Sequence, residues 1–418
     1  MTGVSPPRSI PRALALLLGG LAMFGPFSID TIFPAFPRIG ADLGADKLAM
    51  QQSISVYLLA YAATSILHGP LSDAIGRRPV ILGGLSVFAL ASAGCAMSTS
   101  LPMLLAFRAL QGLSAGVGLI VGRAVIRDLF AGDDAQRLMA QVSMIFGVAP
   151  AVAPLVGAWL LRHAAWPAIF WFLAAFAVLM IALVLAWLPE THAATARSPL
   201  RFRPMLQGYA SMLATPRFLR LALAGSCNFA ALFLYIASAP ALVIDHLALG
   251  QDGFGWFFIP MIAGMMIGAF ASGRLAGRMG GALQIRIGFA CCIVAALINL
   301  AYHGAIASPE VLPTVLPVAL NSFGIALVFP ILTLALLDMY PEARGAASSM
   351  QAFISLLLNA GMAGLVSPWL SHDLFQLSIA AGLLSLLAWG FWRWEHTRRP
   401  RGPRSVDEAV ACEPMDEL

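Results

Sequence analysis

Two charged residues lie inside otherwise apolar stretches of this sequence, and their side chains are suited to proton chemistry. Asp30 stands in Phe-Ser-Ile-Asp-Thr-Ile-Phe-Pro, and Arg108 stands in Phe-Arg-Ala-Leu-Gln-Gly. A charge inside a hydrocarbon layer is expensive, so its presence indicates a function or a partner. The Asp30 carboxyl group can bind a proton or a substrate, and a guanidinium nearby can help to set its pKa.

The helical rise predicts that Asp30 and Arg108 lie at one depth in neighbouring helices. Counted from Ala13 and from Val125, each residue is about 25 Å from the same side of the bilayer at about 1.5 Å per residue. The two side chains can therefore interact directly or through water. Two alternatives remain open, namely a purely structural ion pair and an Asp30 that simply lies near the outer surface.

A polar segment, Gly-Pro-Leu-Ser-Asp-Ala-Ile-Gly-Arg-Arg-Pro at 69–79, separates the apolar stretches 50–68 and 80–97. Its acid can pair with an arginine or lie near a helix N-terminus, where negative charge is favoured. Such a charged turn is suited to hold two helices together in one state and release them in another. The alternative is a basic loop that only sets orientation. The predicted gating residues of this segment are Gly69, Asp73, Gly76, Arg77 and Arg78.

A second candidate gating segment is Gly-Val-Ala-Pro-Ala-Val-Ala-Pro-Leu-Val-Gly at 147–157. Its two prolines, Pro150 and Pro154, are four residues apart, and Gly157 follows them. This spacing predicts a bent, closely packed helix, with a simple kink as the alternative.

The composition indicates an integral membrane protein. The 418 residues are 60% hydrophobic and 11% charged, whereas a soluble globular protein carries about 25% charged residues. The basic residues are not clustered on one face, so nucleic acid is not an expected partner. The five cysteines and seven histidines show no metal-ligand spacing, and the histidines fall at predicted helix ends or in loops. No phosphate-binding loop is present, so neither a cofactor nor ATP is predicted.

The apolar pattern predicts twelve membrane-spanning helices and an all-α fold of two six-helix, pseudo-symmetric bundles. The predicted spans are 13–34, 50–68, 80–97, 101–125, 138–161, 166–188, 217–243, 254–273, 283–302, 311–336, 344–368 and 374–394. The polar stretch 189–216 is predicted to link an N-terminal bundle, 1–188, to a C-terminal bundle, 217–396. The residues 397–418 form a predicted disordered cytoplasmic tail.

An internal repeat supports the two halves. Gly69-x-Leu-x-Asp-x-x-Gly76 aligns with Gly273-x-Leu-x-Gly277-x-x-Gly280, and the second copy has lost the acid. Basic residues predict the orientation of the chain, because cytoplasmic loops are enriched in them. With the N-terminus inside, twenty arginines lie in cytoplasmic segments, and only Arg38, Lys47 and Arg162 lie in outer loops. Both termini are therefore predicted to be cytoplasmic.

A binding cavity is expected between the halves, lined by residues that share a helix face by their spacing. An apolar, aromatic cavity with few polar groups suits uncharged or amphipathic compounds. Helix–helix packing is the alternative for each aromatic residue. The predicted lining residues are Met23, Pro26, Phe27, Asp30, Tyr57, Tyr61, Arg108, Gln111, Ala115, Asn228, Leu232 and Tyr235.

Several of these motifs resemble the major facilitator superfamily of transporters. The segment 69–79 is similar to its signature loop, and Arg108-Ala-Leu-Gln-Gly112 is similar to a fourth-helix motif whose arginine is associated with proton coupling. The segment 147–157 resembles the antiporter motif of drug exporters. Three further segments resemble the bicyclomycin and chloramphenicol resistance subfamily of twelve-helix exporters, namely Ile-Asp-Thr-Ile-Phe-Pro-Ala-Phe-Pro at 29–37, Gly-Arg-Ala-Val-Ile-Arg-Asp-Leu-Phe at 122–130 and Ala-Pro-Ala-Val-Ala-Pro-Leu at 149–155.

This resemblance implies a proton-coupled exporter of small lipophilic compounds in a bacterial inner membrane, driven by the proton gradient. Asp30 and Arg108 are then the proton-coupling residues, and a monomer is expected. Some relatives carry a second membrane acid at a position that Ala22 occupies here, so strongly cationic substrates are not expected. A proton-coupled transporter of a metabolite is the alternative function. A membrane-embedded enzyme or sensor is more distant, because no catalytic cluster or added soluble domain is visible.

Overall fold

The computed structural model describes residues 12–130, 132–197, 200–275, 278–306, 308–340 and 343–398. The predictions made for Arg8, for Gly277 and for the tail from residue 399 onward fall outside these ranges. Within them, the secondary structure is entirely helical. The helices are α1 (Arg12–Ala22), α2 (Phe24–Asp30), α3 (Phe36–Leu43), α4 (Lys47–Ile75), α5 (Arg77–Ala96), α6 (Leu101–Leu129), α7 (Gly132–His163), α8 (Pro167–Trp187), α9 (Phe202–Ala214), α10 (Pro216–Ala237), α11 (Phe254–Leu275), α12 (Gly281–Ala305), α13 (Val311–Leu337), α14 (Arg344–Gly361), α15 (Ser367–Leu370) and α16 (Leu374–Arg398).

In the described part of the chain, eleven spans are long and apolar enough to cross a membrane. A bent pair, Ala13–Ala22 with Phe24–Leu43, supplies the twelfth, and its two parts meet at 44°. The fold class predicted from the sequence is therefore confirmed. The first span differs from its predicted bounds, because it breaks at Met23 and continues to Leu43. Pro26 explains the break, since it has no N–H to donate to the carbonyl of Ala22 one turn earlier.

The predicted polar turn at 69–79 is shorter than the sequence indicated. Helix α4 continues through Pro70 as far as Ile75, and only Gly76 separates it from α5. The backbone of Gly76 has φ 114°, a region that residues with a side chain rarely adopt. His68 also lies inside α4 and is 6% exposed, so its predicted place at a helix end was wrong.

The stretch between the two halves contains a helix of its own, α9. Its residues Tyr209 and Met212 are buried. The Tyr209 hydroxyl donates to the carbonyl of Ile66 at 3.0 Å. That carbonyl is free because Pro70, four residues later, cannot donate to it. The link between the halves is therefore docked on α4.

The two ends of the bundle differ in their contacts between the halves. We call the end that carries Lys47, Arg162, Asp245 and Asp252 the distal face, and the end that carries Asp73, Glu190 and Glu395 the terminal face. At the distal face, Lys47 pairs with Asp245 at 2.7 Å and Arg162 pairs with Asp252 at 2.8 Å. Both pairs join the N-terminal half to the C-terminal half.

Further contacts between the two halves lie deeper in the protein than these ion pairs of the distal face. Ser55 of α4 donates to the carbonyl of Ala360 in α14 at 3.0 Å, and the rings of Phe33 and Phe258 stack with centroids 6.3 Å apart. At the terminal face, by contrast, every ion pair of the described residues joins groups within one half. The structure is therefore a conformation closed at the distal face.

Candidate functional site

Asp30 is the last residue of α2, just beyond the break in the first span, and it is 4% exposed. Within the described residues, no donor or cation lies at hydrogen-bonding or salt-bridge distance from its carboxyl group. Nearby polar groups of the first span, the hydroxyls of Ser28 and Thr31, are buried and also lack partners. A carboxyl group in such a place is expensive to keep charged without a counter-ion or a proton.

Arg108 is fully buried in α6 and is held by uncharged groups. Its Nε donates to the carbonyl of Ser53 at 3.2 Å, and its Nη1 donates to Oε1 of Gln111 at 2.8 Å. Gln111 in turn donates to the hydroxyl of Ser92 in α5 at 2.7 Å. The Nη2 atom of Arg108 has no partner among the described residues. The guanidinium is thus fixed in place through Nε and Nη1, and its Nη2 group is left free among the described residues.

Tyr57 of α4 contacts Arg108 and also α2, the helix that carries Asp30. The Cζ atom of Arg108 lies 4.5 Å from the centroid of its ring, and its hydroxyl approaches the carbonyl of Gly25 in α2 at 3.5 Å. Because Asp30 and Arg108 were predicted to lie at one depth in the bilayer, a direct ion pair between them was one expectation. In this conformation the cation instead lies against an aromatic face.

Some of the predicted cavity residues lie in or beside this site. Tyr61 is 9% exposed and meets Tyr57 edge-on, with ring centroids 6.4 Å apart. Met23 and Pro26 are half-buried at the break of the first span. Asn228 of α10 is 1% exposed, and neither of its amide atoms has a hydrogen-bond partner among the described residues.

Other predicted lining residues are used for packing inside one half. Phe27 stacks on Phe172 and Phe176 of α8, with centroids 6.3 and 5.9 Å apart. The Tyr235 hydroxyl accepts a hydrogen bond from Asn299 of α12 at 3.1 Å and donates to Ser378 of α16 at 3.5 Å. These contacts of Phe27 lie within the N-terminal half, and those of Tyr235 lie within the C-terminal half. Ala115 and Leu232 are buried, at 3% and 0% exposed.

The double-proline segment lies in α7 and packs beside the acid. Gly157 faces the carbonyl of Thr31, the residue after Asp30, so closely that a Cβ would overlap it. Pro150 and Pro154 both lie inside this helix. The helix also reaches the other half, where Leu155 approaches Gly255. One helix thus contacts both the neighbourhood of Asp30 and the C-terminal half.

The polar residues of the terminal face form a network in the N-terminal half. Arg77 pairs with Asp73 and, through Nε at 3.0 Å, with Asp128 of α6. Glu190, which follows α8, accepts hydrogen bonds from the backbone N–H groups of Arg77 at 3.0 Å and of Arg78 at 3.3 Å. Its carboxylate fills the space in which a side chain at position 76 would lie. The network ties together the ends of α4, α5, α6 and α8.

A related arrangement occurs in the C-terminal half. Glu395 near the end of α16 is 4% exposed and pairs with Arg217 at 3.1 Å and with Arg220 at 2.7 Å. Sequence reasoning missed Glu190, Glu395 and the distal ion pairs as functional candidates. The two-fold repeat of the sequence could have indicated the two glutamates, because they hold similar places in the two halves. Glu190 lies just after the last span of the first half, and Glu395 lies near the end of the last span of the second half. No comparable signal marks the distal pairs, whose partners are far apart in the sequence.

The site as a whole places a buried carboxyl group, unpaired among the described residues, beside a helix that also contacts the other half. In the described part of the chain, no group of three His, Cys, Asp or Glu residues is placed to hold a metal ion. Two six-helix halves, with buried charged residues and one face closed, are the architecture of a membrane transporter.

A family model described as "Major Facilitator Superfamily" matches residues 16–363 of this sequence. The chain therefore belongs to the Major Facilitator Superfamily, and it is a membrane transporter rather than an enzyme.

Relatives carry the comparison further. The chain is 27% identical to the bicyclomycin resistance protein homolog of Haemophilus influenzae over 386 residues, which covers 90% of this chain and 95% of the relative. It is 29% identical to the chloramphenicol resistance protein CraA of Acinetobacter baumannii over 352 residues, with 82% of each covered. The resemblance found in the motifs is confirmed by these relatives.

Among solved structures, the human organic anion transporter MFSD10 (TETRAN) superposes with a TM-score of 0.70 at 20% identity. The match covers 92% of this chain and 100% of that chain. At this identity the likeness concerns the fold alone.

Proposed function

We propose that this protein exports small lipophilic or neutral compounds, such as phenicol-like or bicyclomycin-like antibiotics, in exchange for protons. The names of the two bacterial relatives support the substrate class. The observation that carries the proposal is Asp30, a carboxyl group that is 4% exposed and has no ion-pair partner among the described residues. Such a group can alternate between a proton and a substrate without breaking a structural salt bridge.

Arg108 has a supporting role in this proposal. Its guanidinium is fixed by Ser53 and Gln111, and its Nη2 group has no partner among the described residues. That group is available to a substrate or to Asp30 in another conformation. The proton gradient is the proposed energy source, with no cofactor required.

The chemistry around the site favours neutral substrates. Beside Asp30 and Arg108, the polar groups without partners are hydroxyls and amides, such as Ser28 and Asn228. A second positive charge on a substrate would enter a low-dielectric site with no second carboxylate to meet it. We therefore expect neutral compounds to be exported better than dicationic ones.

The remaining parts of the proposal concern arrangement and location. The two halves are taken as 1–188 and 217–396, joined by a cytoplasmic linker at 189–216 and followed by a tail at 397–418. The excess of arginine at the terminal face supports cytoplasmic termini in a bacterial inner membrane. A monomer suffices, because the two halves already form the transport unit.

The test uses the full chain in proteoliposomes with an imposed pH gradient and radiolabelled chloramphenicol. Asp30→Asn keeps the size of the side chain but cannot exchange a proton, so we expect gradient-driven accumulation to be lost. A matched control is Asp338→Asn, which changes an exposed acid outside the site. Thermal unfolding of both variants verifies that they are folded. Accumulation by the Asp30→Asn variant against a gradient would show that another group couples transport to protons.

A further inference from the structure

A cluster of arginine and tryptophan side chains lies at the terminal face of the C-terminal half, where α10 begins and α16 ends. Two guanidinium groups lie over the indole ring of Trp394, with the Cζ atom of Arg220 at 5.2 Å and that of Arg398 at 5.4 Å from the ring centroid. Arg220 also pairs with Glu395, which pairs in turn with Arg217. We call these five residues the α10–α16 cluster. It lies in the half that does not carry the buried acid of the transport site.

The cluster faces the surrounding lipid. Trp394 is 48% exposed, and Leu383 and Leu387, which lie eleven and seven residues earlier, are 55% and 54% exposed. These spacings place the three side chains on one face of α16. Arg398, one turn after Trp394, continues that face and is also exposed. Because α16 is long and apolar enough to span the membrane, this face meets acyl chains at the leucines and the headgroup level at its end, where tryptophan is favoured.

The cluster carries an excess of positive charge. Its three guanidinium groups face a single carboxylate, and both oxygens of that carboxylate are already in contact, Oε1 with Arg217 and Oε2 with Arg220. Glu395 is moreover the one acidic residue in the sequences of α10 and α16, which together carry four arginines. The charge of the cluster is therefore complementary to an anion.

Neighbouring groups hold two of the arginines in place. Nε and Nη2 of Arg220 donate to Oε2 of Glu395 at 3.1 and 2.7 Å, and the ring of Trp394 lies against both Arg220 and Arg398. An ordered side chain loses less conformational freedom when it binds a ligand. The planar fork of N–H donors on an arginine suits the oxygens of a phosphate group. Within the described residues, Arg398 contacts the indole rather than an acid, so its donors can bind such a group.

We propose that the α10–α16 cluster binds the phosphate group of an anionic phospholipid from the leaflet at the terminal face. The acyl chains of the lipid then run along Leu383 and Leu387, while Arg217 and Arg398 contact its headgroup. Basic pockets between membrane helices are typical binding sites for anionic lipid headgroups. A lipid fits better than a soluble anion, because Trp394 belongs to the lipid-facing surface of α16. Binding of the lipid does not depend on which compounds the protein exports.

The structure provides a variant of the cluster and a matched control. Arg398→Gln removes one exposed charge and leaves the pairs of Glu395 with Arg217 and Arg220 intact. The control is Arg274 at the end of α11, an exposed arginine whose Cζ atom lies 4.7 Å from the ring centroid of Phe270. Arg274→Gln therefore removes the same charge and the same kind of contact outside the cluster. Arg398→Lys keeps the charge at the cluster.

The binding test uses native mass spectrometry of the full-length protein in detergent, titrated with phosphatidylglycerol or with phosphatidylcholine of the same acyl chains. We expect the first phosphatidylglycerol to bind more tightly than the first phosphatidylcholine. Arg398→Gln should weaken that binding about fivefold, which corresponds to about 1 kcal/mol for one arginine near an anionic lipid. Arg398→Lys should keep most of the preference, and Arg274→Gln should behave like the wild type. Equal binding of the two lipids, or equal losses in Arg398→Gln and Arg274→Gln, would overturn the site.

Thermal unfolding in the same detergent gives a second measurement. A ligand that binds only the folded protein raises its stability, so phosphatidylglycerol should raise the Tm of the wild type more than phosphatidylcholine does. This gain should be smaller for Arg398→Gln and unchanged for Arg274→Gln. An excess of inorganic phosphate should leave the gain intact, because it offers no acyl chains to the face of Leu383 and Leu387. Loss of the gain with inorganic phosphate would assign the cluster to a soluble anion and overturn the lipid site.

Discussion

The guanidinium of Arg108 lies over the ring of Tyr57, with its Cζ atom 4.5 Å from the ring centroid. No carboxylate of the described residues pairs with this buried cation, so the aromatic face and the uncharged oxygens of Ser53 and Gln111 are its main partners. A desolvated cation over an aromatic ring gains about 2 kcal/mol. Tyr57 therefore holds the arginine against its ring, while Asp30 has no ion-pair partner among the described residues.

This contact predicts different effects for two substitutions of Tyr57. Tyr57→Phe keeps the ring and loses only a hydroxyl contact of 3.5 Å, so transport should persist with a stability change below about 1 kcal/mol. Tyr57→Leu removes the ring and should lower stability by about 2 kcal/mol or more. Thermal unfolding and chloramphenicol transport measure both effects. Equal losses in the two variants would show that the hydroxyl, rather than the ring, is what the site requires.

Asp73, the acid at the end of α4 in the terminal-face network, is predicted to favour the conformation that is closed at the terminal face. Asp73 is about half exposed here and, among the described residues, pairs only with Arg77 of its own half. Helix α14, which packs on α4 across the two halves, begins at Arg344. When the terminal face closes, Asp73 can approach that helix start, where negative charge is favoured. Asp73→Ala should therefore shift the population toward the distal-closed state, about tenfold if 1.4 kcal/mol is lost.

Spin labels at the exposed positions Ile75 and Leu283 report the separation of the halves at this face. The native cysteines are first replaced so that only these positions are labelled. Unchanged distances together with unchanged transport would leave Asp73 without a gating role.

The two glutamates of the terminal face, Glu190 and Glu395, are predicted to differ in their effect on stability. Glu190 is exposed and caps the backbone N–H groups at the start of α5, so Glu190→Gln should cost about 1 kcal/mol. Glu395 is 4% exposed, and its loss leaves Arg220, whose side chain is only 14% exposed, without a counter-charge, so Glu395→Gln should cost about 3 kcal/mol. Unfolding of the purified variants in one detergent compares them. A larger loss for Glu190→Gln would contradict the assignment of its carboxylate as a simple cap.

Ala22 illustrates how burial changes a prediction about selectivity. The sequence suggested that an acid at position 22 would extend the substrate range toward cations, provided that the residue faces the cavity. Ala22 is 2% exposed and belongs to the apolar core. Ala22→Glu should therefore destabilise the protein, because it buries a charge without a partner.

Met23, the next residue, is half-buried at the break of the span and is the better position for such a test. Met23→Glu should extend export toward dicationic compounds and leave the fold intact. Resistance profiles of cells that express each variant, with protein levels measured alongside, compare the two. A wider range from Ala22→Glu than from Met23→Glu would reverse the assignment of the two side chains.

The sequence by itself determined the membrane class, the span count and the family. Long apolar stretches and the segments 69–79 and 147–157 sufficed, because spans and motifs are local in the chain. Asp30 and Arg108 could be selected in the same way, since a charge in an apolar stretch is visible without coordinates. Their roles in transport remain a proposal, and so do the domain boundaries.

Only the tertiary structure decided which groups meet. It placed Tyr57 against Arg108, turned Tyr235 toward Asn299, and joined Lys47 to Asp245 across the two halves. It also buried His68 inside α4, where the sequence had suggested a helix end. The physical reason is that helical spacing identifies residues on one face but not the neighbour to which that face turns. That choice depends on how the membrane spans pack together, and the packing is a property of the whole chain.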